Sequence, residues 1–145
     1  MKHILALLLV LLTTSFKAAA QEPEISLFDS DGSPVAYINM EDEMTIYSWS
    51  GKPVAYLESS SGGGFNIYEF NGKHLGWFES GFMRDHDGKS ACGTRNVVKP
   101  KLEPLKKLKQ LKPLKALTRL EPLRPIDKLS WSDTSCAMFL YEGAK

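Results

Sequence analysis

The sequence predicts an all-β fold: four β-hairpin repeats in a pseudo-four-fold array, followed by an extended Leu/Pro/Lys-rich strap and a short C-terminal segment. Three observations carry this expectation. Four segments align on a Gly that follows a turn-forming residue, at Asp31-Gly32, Ser50-Gly51, Asn71-Gly72 and Asp87-Gly88. Beyond residue 95, Leu or Ile occupies every third position from Leu102 to Leu129, ten times in all. Charge divides at nearly the same place, with net −7 over residues 21–98 and net +7 over residues 99–129.

Residues 1–20 read as a signal peptide. Met1-Lys2-His3 is a short basic start, Ile4 to Leu12 is an apolar run of nine, and Ala18-Ala19-Ala20 is a small-residue cleavage site. Nine apolar residues are about half of the ~20 that span a bilayer. The expected product is therefore soluble and exported, periplasmic or extracellular, with cleavage after Ala20. The 145-residue chain has formal net charge +1, which becomes −1 once Lys2 and Lys17 are gone. The 125 residues that remain suit one small domain.

Residues 21–95 form the hairpin domain. After each turn Gly the chain reads Ser33-Pro34-Val35-Ala36-Tyr37, Lys52-Pro53-Val54-Ala55-Tyr56, Lys73-His74-Leu75-Gly76-Trp77 and Lys89-Ser90-Ala91-Cys92-Gly93. Five residues before it stand Leu27, Ile46, Ile67 and Met83; four before it stand Phe28, Tyr47, Tyr68 and Arg84. Asn-Gly and Asp-Gly supply the positive φ that tight hairpin turns need, and β-branched and aromatic flanks favour strands. Strands are expected near 25–29, 34–38, 44–49, 53–58, 65–70, 74–79, 81–85 and 90–94. Pro34 and Pro53 open outgoing strands, where a missing N–H does least damage. One hairpin cannot bury its own apolar face, so the four must share a core. The column Ala36, Ala55, Gly76, Cys92 is small in every copy, as close approach around a common axis demands.

Residues 96–129 form the strap. A nine-residue repeat runs through it: Leu102-Glu103-Pro104-Leu105, Leu111-Lys112-Pro113-Leu114, Leu120-Glu121-Pro122-Leu123. Prolines at this spacing exclude an α-helix, whereas polyproline II, at three residues per turn, sets every Leu on one edge. The 27 steps from Leu102 to Leu129 extend ~84 Å in that conformation. A body of this size is ~30 Å across, so the strap must bend around the domain, project outward, or bridge to other copies or a membrane. A bond between Cys92 and Cys136 would favour a looped return path with a mobile middle. Part of the Leu edge is expected to pack on the domain or a neighbour, because ten Leu left in water make a long apolar stripe. In the C-terminal segment 130–145, Cys136, Phe139 and Leu140 share one face of a short helical turn.

The run from Ile67 to Phe78, the Asp85-His86-Asp87-Gly88 turn and the Pro-Leu-Lys tract together resemble the four-fold β-flower domain family. The resemblance implies a small four-hairpin domain of bacterial proteins. It assigns no activity and no functional residues.

The residues themselves predict a non-catalytic chain with no cofactor. Ser59-Ser60-Ser61 lacks a nucleophile elbow, the Gly62-Gly63-Gly64 run lacks the Lys of a phosphate loop, and Asp85-His86-Asp87 lacks metal-ligand spacing. His86 reads as a partly buried ring, His74 as a surface strand residue. Cys92 and Cys136 are expected to be bonded in an oxidising compartment; the alternative is that Cys92 is a thiol buried in the small column. An odd–even count puts Val35 and Tyr37 on one face, giving the aromatic columns a core role. The alternative is a platform of exposed rings, Tyr37, Tyr56, Trp77 and Trp49, for a carbohydrate-like ligand. The expected function is an exported structural or interaction module of the bacterial envelope. The strap would meet a protein partner or a second copy, with a membrane surface or a glycan as the other options. Nucleic acid is excluded, since no aromatic residue interleaves the Lys of the strap.

Overall fold

The computed structural model describes residues 23–141. The expected signal peptide, 1–20, lies outside the described residues. Eight strands follow in chain order: β1 (Glu24–Phe28), β2 (Pro34–Asn39), β3 (Thr45–Ser48), β4 (Pro53–Ser59), β5 (Phe65–Tyr68), β6 (His74–Glu79), β7 (Phe82–Arg84) and β8 (Ser90–Thr94). Among the described residues one helix, α1 (Cys136–Tyr141), follows them. Each strand pairs antiparallel with the next, and β1 closes on β8 through Leu27↔Thr94 and Phe28↔Gly93. The hairpins are therefore not separate petals with open edges. Closure gives every strand a partner on both sides, which disposes of the edge problem without a cover.

The four turns share one geometry. Gly32, Gly51, Gly72 and Gly88 each donate to the carbonyl three residues back, at 2.9–3.0 Å. Only the Gly has positive φ, between +78° and +87°. This is a three-residue loop, a type I turn closed by a left-handed residue. The positive φ expected of these turns is thus supplied by the Gly alone.

One bulge per hairpin then sets which side chains point inward. Ladder pairs run Leu27↔Ala36 then Phe28↔Pro34, Ile46↔Ala55 then Tyr47↔Pro53, Ile67↔Gly76 then Tyr68↔His74, Met83↔Cys92 then Arg84↔Ser90. Val35, Val54, Leu75 and Ala91 are thus the extra residues. Val54 and Ala55 both enter the core cluster, while Tyr56 joins a different cluster with Tyr68 and Phe70. The odd–even count fails here because a bulge interrupts period two. Val35 lines the core, but Tyr37 lies on the other face.

Each large residue of the incoming strand faces a small one across the ladder, and all four pairs are sealed from solvent. Gly76 is the tightest. A Cβ there would stand 1.9 Å from the Arg84 carbonyl oxygen and 3.2 Å from the Phe139 ring. Gly76→Leu is expected to lose roughly 1–3 kcal/mol or more by overpacking, and Ala55→Leu a similar amount. Thermal melts check this: midpoints within a degree or so of wild type for both variants would remove the shared-axis account.

Helix α1 sets Cys136, Phe139 and Leu140 into the same core, as the sequence predicts. Cys136 is disulfide-bonded to Cys92. The Tyr141 hydroxyl donates to the Val35 carbonyl at 2.6 Å. Just before the helix, residues 130–132 run parallel to the start of β8, with Ser90 N–H donating to Ser130 and Ser132 N–H to Ser90.

Candidate functional site

The strap makes a circuit of the barrel, and its nine-residue repeat matches one hairpin. A Cβ built on each turn Gly would meet a strap carbonyl oxygen: Lys99 at Gly32, Leu108 at Gly51, Leu117 at Gly72 and Ile126 at Gly88, all within 1.9–2.3 Å. These four contacts are nine residues apart. Any side chain at the turn Gly would push the strap away, so the glycines serve the docking as well as the turn.

Three columns, each at spacing three, divide the work. The first runs 103, 106, 109 and onward to 127, and faces the barrel. Glu103 pairs with Arg95, Lys106 and Lys109 with Glu24, Lys112 with Asp42 at 2.6 Å, and Lys115 with Glu43 at 2.7 Å. Arg124 pairs with Glu79 at 2.7 Å and Asp127 with Arg84 at 3.3 Å. The same cations cover aromatic faces: Lys106 lies 4.7 Å from the Tyr37 ring centre, Lys115 4.3 Å from Tyr56, and Arg124 6.0 Å from Trp77. At the fourth hairpin, where Gly93 replaces the ring, a Cβ would meet Val97 and Val98 instead.

The second column runs 101, 104, 107 and onward to 128, and docks through the backbone. The N–H groups of Lys101, Gln110, Arg119 and Lys128 donate to the carbonyls of the four turn glycines at 2.8–2.9 Å. Lys107 N–H donates to Trp49 and Ala116 N–H to Phe70. Pro104, Pro113 and Pro122 occupy the same column midway between turns, where no acceptor bond is made. Proline costs nothing at a position whose N–H has no partner, and it stiffens the span.

The third column is the leucines. Leu102, Leu105, Leu108, Leu111, Leu114, Leu117, Leu120, Leu123, Ile126 and Leu129 are 89–102% exposed. The expectation that part of this edge packs on the domain is therefore wrong. Charge decided the orientation: the acidic barrel wall and its rings take the basic column, and three-fold spacing then turns the Leu column outward.

The rings offered as a ligand platform are accordingly not open. Tyr37, Tyr56 and Trp77 are no more than 1% exposed, and Trp49 is half-buried against Tyr37 and Lys106. Burial pushes the Tyr56 hydroxyl up to about 12. The Trp77 indole donates to Glu121 at 3.3 Å. Hydrogen bonds from Ser60, then from Asn66, hold the Glu121 carboxyl at about 2.

His74 is also misplaced by the sequence reading. It is buried, with Nε2 2.9 Å from Asn66 Oδ1 and Nδ1 2.9 Å from His86 Nε2. Its ring stacks on His86 and meets Trp77 edge-on at 4.8 Å. Burial, followed by the His86 charge, depresses its pKa to about 4. Proline in the first two copies hid this slot. Asp85, beside His86 in the fourth turn, accepts from Asp87 N–H, Lys89 N–H and the Ser132 hydroxyl. No group of three or more His, Cys, Asp or Glu among the described residues is arranged to hold a metal ion.

Fold and strap together define a class: a closed eight-stranded barrel of four hairpins, belted by a nonapeptide repeat in step with them. A family model described as 4-fold beta flower protein matches residues 25–140, and the chain belongs to that family. No curated protein and no solved structure matches the chain.

Proposed function

We propose that the protein is an exported, non-catalytic interaction module of the bacterial envelope whose docking surface is the outward edge of the strap. One observation carries the reading: ten large apolar side chains stand 89–102% exposed at regular spacing on an anchored segment. At ~25 cal/mol per Å², a leucine worth up to ~3 kcal/mol on burial presents roughly 100 Å². Ten present on the order of 1,000 Å², above the 300–600 Å² of the largest patch on a typical monomer. The disulfide is compatible with export. The polar side chains of the cleft between β1 and the start of the strap are engaged in ion pairs, Arg95 with Glu103 and Lys106 with Glu24, which favours a structural role there.

Fractionation tests the reading. Wild-type protein expressed with export is expected in the envelope fraction. A Leu105→Ser, Leu114→Ser, Leu123→Ser variant is expected in the soluble periplasm with an unchanged melting midpoint, because those side chains touch almost nothing. Wild type and variant in the same fraction would refute it.

A further inference from the structure

We infer that the outward edge of the strap docks on an anionic lipid surface. The inference rests on reading that edge as a docking surface, and it names the occupant.

The argument is how charge is sorted around the strap. All three strap acids face the barrel: Glu103 pairs with Arg95, Glu121 bonds Ser60 and Trp77, and Asp127 pairs with Arg84. The solvent side holds the Leu column and the second column, whose charged members are Lys101, Lys107, Arg119 and Lys128. Lys101 reaches Asp31 at 2.9 Å. Lys107, Arg119 and Lys128 make no ion pair among the described residues. Each is followed directly by an exposed leucine, Leu108, Leu120 and Leu129. The outward edge is thus apolar and cationic, with no acid in either of its columns.

That pairing fits a lipid headgroup layer. Apolar side chains enter the boundary while flanking Lys and Arg heads meet anionic headgroups. It does not fit a second copy, since belt-to-belt contact would bring like charges together. The formal charge of the chain without residues 1–20 is only −1, so net charge gives no attraction; the sorting does. Six backbone hydrogen bonds already hold the strap to the barrel, so docking need not order it first.

Co-sedimentation with vesicles is the experiment, using the oxidised protein expressed with export. The probes are phosphatidylcholine vesicles and phosphatidylcholine–phosphatidylglycerol vesicles. Binding to the anionic vesicles is expected to be at least roughly tenfold tighter than to the neutral ones and to weaken with salt. A Lys107→Gln, Arg119→Gln, Lys128→Gln variant is expected to lose that preference, and the triple Leu→Ser variant to bind neither vesicle. Equal affinity for both vesicles, no binding to either, or full retention by these variants overturns the inference. Belt-dependent envelope fractionation without vesicle binding would leave the interaction reading standing and remove only the lipid. Loss of both would remove both.

Discussion

Removing the Cys92–Cys136 bond is expected to lower stability by up to about 4 kcal/mol, from the chain-entropy estimate for a loop of this length. The two cysteines are 44 positions apart, and the whole strap lies between them. Cys136 also begins the helix that carries Phe139 and Leu140 into the core, so the bond anchors both the helix and the far end of the strap. Urea unfolding of wild type against a Cys92→Ala, Cys136→Ala variant measures the loss. An unchanged midpoint would show that the anchor is redundant. Trypsin gives a second reading: the strap of the oxidised protein is expected to resist cleavage, and that of the variant to be cut early near residue 128. Two titratable thiols in the native exported protein would contradict the bond itself.

Acid is expected to weaken the protein well before the carboxylates of an unfolded chain protonate. The His74 pKa falls from its ordinary 6.5 to about 4 on folding. Between those values the unfolded chain binds a proton that the native state refuses, so stability rises with pH across that window. The contribution is complete above about pH 6.5, drains away as pH falls, and is gone near pH 4, for a total of about 3 kcal/mol. The hydrogen-bond chain explains the refusal. Asn66 Oδ1 can only accept, so His74 donates from Nε2 and keeps Nδ1 free to accept from His86. A second proton would sit on Nδ1, facing that donor. Glu121, the nearby acid, offsets only part of the cost. Denaturant midpoints of wild type and His74→Gln across this range decide it: parallel curves would exclude His74 as the source.

The hairpins were legible because their signals are local. A Gly at each turn, Leu27, Ile46, Ile67 and Met83 before it, and a small residue after it can be aligned by eye, and the ladder pairs those columns directly. The face of α1 also followed from local pattern, and the Cys92–Cys136 pairing from there being just two cysteines to join. What escaped was non-local. Nothing in the spelling of Val35, Val54 or Leu75 announces a bulge, because the extra residue is extra only relative to its partner strand. The strap turned inside out for the same reason. Its periodicity was plain, but which column faces inward depends on the rings and acids of a surface assembled from four distant segments. The sequence does hold a signal for it: Lys106, Lys109, Lys112 and Lys115 share the leucine spacing, and the barrel they meet is acidic.

The matched repeats give the strap a reading frame. Removing one residue from it would rotate every later position by a third of a turn, carrying the second column, prolines included, onto the rings and the inward lysines into the solvent. Removing three would restore the columns but slide the prolines off the gaps and onto the turn carbonyls, where an N–H is needed. Removing nine would restore both and leave one hairpin without its span. Only a change that adds or deletes a hairpin together with its nonapeptide keeps the two halves in phase. Symmetry in the barrel and length in the strap are therefore a single variable, and a chain of this design can change size only in whole units of both.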